Sequence, residues 1–424
     1  MSQYLRKFPR QCRAVLTALA GGSGMFAGVP STAQTLPQEI QVSKSNIPDF
    51  EFDSGRKGVN CPTCNFGNGN SRLSFADSDG KIWVGSVDFA TGKFFPPDGH
   101  GILIDTNAAK PTDFGNGPEW VSSSSGSGLV YTKYLPGQTP SPATATLATA
   151  WMVNGSWLAE VVPGAASKVA PAGTLNENDP DPRINYTSAN NNSLFYWRSL
   201  TGSSPEITIP SSRTDGAGRR WVEGTHKIIY QCHPANSPDL LTDQVCLYDS
   251  DNGLVEQLTS DPVGKISAFM WRAPEFNNEY VFYTMVDFRR SIQVYRKIPD
   301  VNGIFRWVVV KVITAPTSVP YFWSPEPFAH NGRSYIFSQV SSSLAFYDRT
   351  IPNHLAITGI DPLRQNFRVL TGTSSLPRLR LDPEYFITAQ GPFIYYNRAV
   401  PETTTNPAVN DGVWRVDTGL GPRQ

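Results

Sequence analysis

The sequence predicts an all-β protein, a single β-propeller of seven four-stranded antiparallel blades whose ring is closed by an N-terminal strand. Three observations carry this. In 424 residues Gly and Pro number 35 each, aromatics reach 12% and charged residues only 17%, a balance that suits short strands joined by many turns. From residue 71 onward short alternating apolar runs are broken by turn residues, with no sustained 3.6-residue apolar period after the N-terminal leader. A junction sequence also recurs at blade-sized spacing, the signature of a propeller or solenoid.

The leader comes first. Arg6, Lys7, Arg10 and Arg13 precede an apolar stretch from Ala14 to Val29, then Ser31-Thr32-Ala33 before Gln34. This pattern reads as a signal peptide over residues 1–33, cut after Ala33, and predicts a periplasmic or secreted protein. An uncleaved anchor fits less well, because the apolar part holds several glycines and is shorter than about 20 residues. No membrane span is expected after cleavage. Cys12 lies in the basic region and does not read as a lipidation site. Lysine plus arginine equal aspartate plus glutamate at 36 each, and the leader holds four basic residues and no acid, so the remainder carries four excess negative charges. Nucleic acid is therefore not an expected partner.

Four cysteines remain. Cys232 and Cys246 end two β-like runs, IIYQC and VCLYD, on either side of a Pro-containing loop, which predicts a cross-strand disulfide. Cys61-Pro62-Thr63-Cys64 is open to three readings: a local disulfide, a redox dithiol, or half of a zinc site. A redox thiolate is favoured at a helix start, and here Asn and Gly follow.

Residues 34–70 form an N-terminal extension with one strand-like piece, Asp49-Phe50-Glu51-Phe52, and supply the ring-closing segment. Residues 71–424 are the propeller. RLSFAD, KIWVGSVD and KFFPPDG, separated by turns at Ser78-Asp79-Gly80 and Ala90-Thr91-Gly92, are three adjacent hairpin strands. The same grammar recurs as LVYTKY, ATAWMV and WLAEVV; as KIIYQC, QVCLYD and LVEQLT; as EYVFYTMV, IQVYRK and WVVVKVIT; and as SYIFSQV, LAFYD and FRVLT.

The groups are tied by a crossover: Leu258-Thr259 before Trp271-Arg272-Ala273-Pro274-Glu275, Ile313-Thr314 before Trp323-Ser324-Pro325-Glu326, and Leu370-Thr371 before Leu381-Asp382-Pro383-Glu384. Degenerate copies are Gly117-Pro118-Glu119-Trp120, Asp179-Pro180-Asp181-Pro182 and Gly218-Arg219-Arg220-Trp221. The stretch VITAPTSVPYFWSPEPFAHNGRSYIFSQV resembles a blade of the TolB-like (WD40-like) propellers, with Glu where that family has Asp. The resemblance covers roughly residues 110–400 and implies the fold; the family hosts binding proteins, peptidase accessory domains and carbohydrate-active enzymes. It also implies that the Pro-acid pair is the tight turn after the innermost strand, the carboxylate capping backbone N–H groups. Glu119, Asp181, Glu275, Glu326 and Glu384 then read as architectural. Innermost strands starting near residues 49, 118, 180, 220, 268, 320 and 379 give seven blades, or six if the short third is discounted. The last strand, Val413-Trp414-Arg415-Val416, leaves its blade one strand short, which calls for a partner from the N-terminal extension.

Chemistry is less legible. There is no nucleophile elbow, phosphate-cradling Gly loop or His-x-x-x-His pair, and His100, His226, His233, His330 and His354 are scattered. Asp77-Ser78-Asp79-Gly80 and Asp249-Ser250-Asp251-Asn252-Gly253 resemble fragments of a calcium loop but lack its central Gly and distant Glu. Hairpin turns explain both, and calcium is the minor reading; no other cofactor is indicated. Residues just before the innermost strands surround one mouth of the channel: Asn116, Asp181, Arg219, Arg220, Lys265, Tyr321, Arg378 and Arg380. Their basic excess predicts a funnel for an anionic or hydroxylated small molecule or glycan, with Tyr321 and Trp271 for stacking. The competing reading is salt bridges between blades. Two functions follow: a non-catalytic, monomeric binding module whose partner is such a ligand or a protein, or a funnel enzyme. The enzyme would be a hydrolase or lyase on acidic saccharides or, less directly, an alkylating or cyclising enzyme of a natural-product pathway.

Overall fold

The computed structural model describes residues 36–53, 71–110, 117–190, 194–202, 204–210, 219–233, 243–345, 348–364, 366–372 and 377–424. The leader, Cys61, Cys64 and Asn116 lie outside these residues. Strand β1 (Glu39–Ser43) is followed by the first blade, β2 (Phe50–Phe52), β3 (Ser71–Ala76), β4 (Ile82–Val87) and β5 (Phe94–Phe95), with β6 (Ile102–Asp105) also paired to β4. Blade two is β7 (Glu119–Ser123), β8 (Gly126–Tyr134), β9 (Ala145–Val153) and β10 (Ser156–Val161). Blade three is β11 (Lys168–Gly173), β12 (Arg183–Ser188), β13 (Phe195–Ser199) and β14 (Ile207–Thr208). Blade four comprises β15 (Arg219–Trp221), β16 (Lys227–Cys232), β17 (Gln244–Asp249) and β18 (Val255–Gln257). Blade five comprises β19 (Ile266–Ala273), β20 (Glu279–Val286), β21 (Ser291–Pro299) and β22 (Phe305–Thr314). Blade six is β23 (Tyr321–His330), β24 (Arg333–Ser341), β25 (Asn353–Gly359) and β26 (Arg368–Val369). Blade seven takes β27 (Leu379–Thr388), β28 (Gly391–Val400) and β29 (Val409–Asp417) and borrows β1 as its outer strand.

The ring is thus a seven-bladed propeller. The expected closure is present, with Glu39 opposite Val416 and Gln41 opposite Trp414. Each blade's apolar face is buried against the next: Phe52 and Phe75 of blade one meet Phe386 and Tyr395 of blade seven, and Ile229 and Leu247 of blade four meet Met270 and Phe282 of blade five. Indole donors tie inner strands together, Trp120 Nε1 to the Glu51 carbonyl at 3.1 Å and Trp221 Nε1 to the Ala172 carbonyl at 3.0 Å. The Leu-Thr pair of the crossover has a physical role. Leu258 and Leu370 are buried, and the next residue's hydroxyl accepts the amide of the third strand, Val245 N to Thr259 Oγ1 and Leu355 N to Thr371 Oγ1, both at 3.0 Å. The Cys232–Cys246 disulfide spans β16 and β17 with Cα atoms 5.7 Å apart.

Three expectations need correction. The third innermost strand begins at Lys168, not near residue 180; its Lys-Val-Ala-Pro-Ala-Gly sequence is too poor in β-formers to be read as a strand. In blade six the third strand is Asn353–Gly359; the expected LAFYD precedes it in sequence, and its Phe346 and Tyr347 lie outside the described residues. The Pro-acid pairs are also not one recurring turn. Pro274-Glu275 lies in a 3-10 turn after β19, where Glu275 accepts Ser334 N at 2.9 Å across the blade boundary. Pro325-Glu326 and Pro383-Glu384 instead lie within β23 and β27, at bulges where Ser324 (φ 43°) and Asp382 (φ 50°) adopt left-handed backbone. Ser267 (φ 54°) and Ala170 (φ 53°) mark matching bulges in β19 and β11. A bulge re-aims the side chains beside it.

Candidate functional site in the central channel

Four antiparallel strands return the chain to the end where it started, so every innermost strand begins at the same mouth of the channel. Lys265, Tyr321, Arg378 and Arg380 do stand at or beside those starts, and Arg219 and Arg220 open β15. Asp181 does not: it precedes β12, the second strand of its blade, and belongs to the opposite face. There it bonds Arg183 and the hydroxyls of Ser199 and Thr201, interactions that outweigh its burial and hold its pKa below the ordinary value.

Most of the basic residues are engaged by neighbours. Lys265 is buried, with Nζ 2.7 Å from Asp261. Arg380, 1% exposed, donates to Glu39 and to the Asn353 carbonyl. Arg378 Nε lies 3.4 Å from Asp411. Arg219 reaches back to blade three, bonding Asn185 Oδ1 at 2.7 Å and the Ala170 carbonyl over the ring of Phe195. Tyr321 accepts from Arg290 at 3.2 Å, and Trp271 is buried in the core between blades five and six.

Arg220 is different. Between buried Arg219 and Trp221 its side chain alternates to the other side of β15, stays 47% exposed, and approaches Glu326 of blade six to 3.6 Å. Exposed on the innermost strand of its blade and facing a carboxylate two blades away, it stands at the centre of the ring. Burial works against its charge, but Glu326, Glu119 and Glu51, together with Tyr283, more than offset this and raise its pKa. The same burial and the charge of Arg220 push Arg219 down to about 10.

A carboxyl pair completes the constellation. Asp49, just before β2, accepts the Gly117 amide at 2.6 Å, and Asp382, turned by its bulge, donates a hydrogen bond to Asp49. Burial first, then the charge of Glu119, pushes Asp49 up to about 6. Burial and the charges of Asp49, Glu51 and Glu326 raise Asp382 well above the usual carboxylate range. Two like charges in contact repel, so the pair holds protons more tightly than free carboxyls do. A Cβ on Gly117 would lie 3.1 Å from the Asp49 carboxyl carbon, so glycine permits this approach.

Glu51, Glu119 and Glu326 of blades one, two and six thus act on one guanidinium from blade four, and the same three carboxylates act on the Asp49–Asp382 pair of blades one and seven. Sequence reasoning placed only Arg220 here. Asp49 and Glu51 sit in a plain strand-like piece, and Asp382, Glu119 and Glu326 read from the sequence as parts of the crossover copies. The calcium-like fragments lie elsewhere: Asp77 accepts the amides of Asp79 and Lys81, and Asp251 bonds His226 at 2.8 Å. Among the described residues no group of three His, Cys, Asp or Glu side chains is arranged to hold a metal ion. Beside the channel, Gln339 Nε2, buried and without a hydrogen-bond partner, lines a recess of about 20 Å³ with Trp323, Ser324 and Leu381, room for one water.

No protein-family model matches the chain, and no curated protein matches its sequence. Among solved structures it is similar to the β-propeller domain of Cps50 (Swd1) from Myceliophteria thermophila, with TM-score 0.49 and 8% identity over 89% of this chain and 98% of that one. It is also similar to the β-propeller domain of the Trilobed protease from Pyrococcus furiosus (TM-score 0.44, 9% identity, 84% and 93% covered). A putative 6-phosphogluconolactonase from Bacteroides uniformis gives TM-score 0.43 and 13% identity, with 82% and 93% covered. At such identities the likeness bears on fold alone.

Proposed function

We propose that this chain is an exported binding propeller whose ligand is a neutral, hydroxyl-rich small molecule or glycan held in the channel around Arg220. The observation that carries the reading is the ring of carboxyl groups about a single guanidinium. Carboxylates accept hydroxyl protons and Arg220 donates to hydroxyl oxygens, so a polyol meets both kinds of partner. The anionic ligand expected from the basic mouth residues is less well supported, because carboxyl groups outnumber the guanidinium here and the mouth cations are held by neighbours. Export is supported by the N-terminal sequence pattern and by the Cys232–Cys246 disulfide, which persists in oxidising compartments.

Isothermal titration against neutral oligosaccharides and matched uronates tests the ligand class. Neutral sugars are expected to bind, and Arg220→Ala and Glu326→Gln to lose at least about tenfold in affinity with circular dichroism unchanged. Binding of uronates alone, or binding indifferent to both substitutions, refutes the reading.

The Asp49–Asp382 pair favours a second reading, a channel-sited hydrolase or lyase. A protonated and an ionised carboxyl side by side are the elements of general acid–base work on a glycosidic bond. Product release from labelled oligosaccharides, abolished in Asp49→Asn, separates catalysis from binding.

A further inference from the structure

We propose that a second copy of this chain docks along β22, the outer strand of blade five, by antiparallel β22–β22 pairing about a two-fold axis. Outer strands are the exposed edges of a propeller, and proteins keep them short or charged so that they do not pair with other chains. Blades one, three and six follow this rule with outer strands of 2 residues and blade four with 3. In blade five the outer strand runs for 10 residues, Phe305-Arg306-Trp307-Val308-Val309-Val310-Lys311-Val312-Ile313-Thr314.

That strand is the fourth and last of its sheet, so its far side presents main-chain donors and acceptors without a strand beside them. Four of its exposed side chains are apolar, Phe305 at 61%, Val308 at 38%, Val309 at 41% and Val312 at 49%, while Arg306 near its start is paired with Asp300. Within Trp307–Ile313 the single charge that would guard the edge is Lys311, and it is withdrawn from it. Lys311 is buried, and its Nζ donates to the carbonyls of Gly359, Asp361 and Arg364 in blade six at 2.7, 2.9 and 2.8 Å.

An extended strand satisfies such an edge, and the chain's own β22 fits it. With the two-fold between Val309 and Val310, Arg306 faces Ile313, Trp307 faces Val312 and Val308 faces Lys311, so no like charges oppose each other. The bulge that leaves Val310 out of the β21 ladder sits at the middle of this contact, between two regular runs. The result is an isologous dimer with a sheet continuous across the two blades.

Sedimentation velocity on the folded chain from about 1 to 100 µM, with hydrogen exchange on the same samples, tests this. A dimer is expected, with outward β22 amides gaining protection as concentration rises. Val309→Lys and Val312→Lys, each placing a charge on the edge, should raise the dissociation constant at least about tenfold while the melting temperature of the monomer stays within a degree or two. A monomer throughout the range, a dimer indifferent to both substitutions, or β22 amides that exchange equally fast in monomer and dimer overturns the proposal.

Discussion

The side chain of Asp382 shows how a single residue departs from what its neighbours in sequence suggest. Read along the chain it belongs to a Leu-Asp-Pro-Glu turn; in three dimensions a positive φ turns it toward Asp49, 333 positions earlier in the same sequence. Its pKa is raised, so the folded state holds a proton that the unfolded chain releases at its ordinary value. The sign follows: the pair's contribution to stability is greatest at low pH and falls as pH rises through the range where the pair ionises, which for Asp49 ends at about 6. Asp382→Asn keeps a donor for Asp49, tolerates left-handed backbone and cannot ionise. It is expected to melt higher than the parent at pH 7 and equally at pH 4, measured by calorimetry; a lower melting temperature at pH 7 contradicts the raised pKa. None of this was legible from residue types, because the partners come from separate blades and only the ring brings them together.

At the scale of the element, the sequence spoke clearly wherever a strand alternates. IIYQC and VCLYD were readable as neighbours because short runs of β-branched and aromatic residues flank a turn-rich loop, and Tyr230 indeed faces Cys246 across the ladder. The innermost strand of blade three was not readable, since Pro171 and Ala170 suit a bulge better than a ladder. The disulfide closes a loop of 14 residues between β16 and β17, and by loop-closure entropy its contribution is about 3 kcal/mol. Cys232→Ser with Cys246→Ser is therefore expected to lower the denaturation midpoint by that amount in urea with the slope little changed. An unaltered midpoint would mean that the reduced loop is already held by its strands.

For the molecule as a whole, closure rests on one short strand. Glu39 of β1 accepts from Arg380 and Tyr396 and lies 3.8 Å from Arg398. Burial opposes its charge, but these partners, Arg380 foremost, hold its pKa below the ordinary value, so the contribution is present above that value and fades as pH falls through the lowered one. Glu39→Ala strands Arg380, 1% exposed, without its carboxylate, a loss of about 3–5 kcal/mol. Thermal melts at pH 7 should show it, with the difference from the parent shrinking toward pH 3.

Gln41 faces Trp414 across the seam, so the piece of the sheet that is synthesised early finds its place only after nearly everything else has been made. Few contacts in a chain of this size span so much sequence, and such contacts slow the final step of folding. During that wait blade seven stands with an open flank, and a chain interrupted anywhere before β29 is left with β1 unplaced. Shortness then has a use: five residues with a carboxylate at one end give little purchase to a foreign edge while they wait for their own.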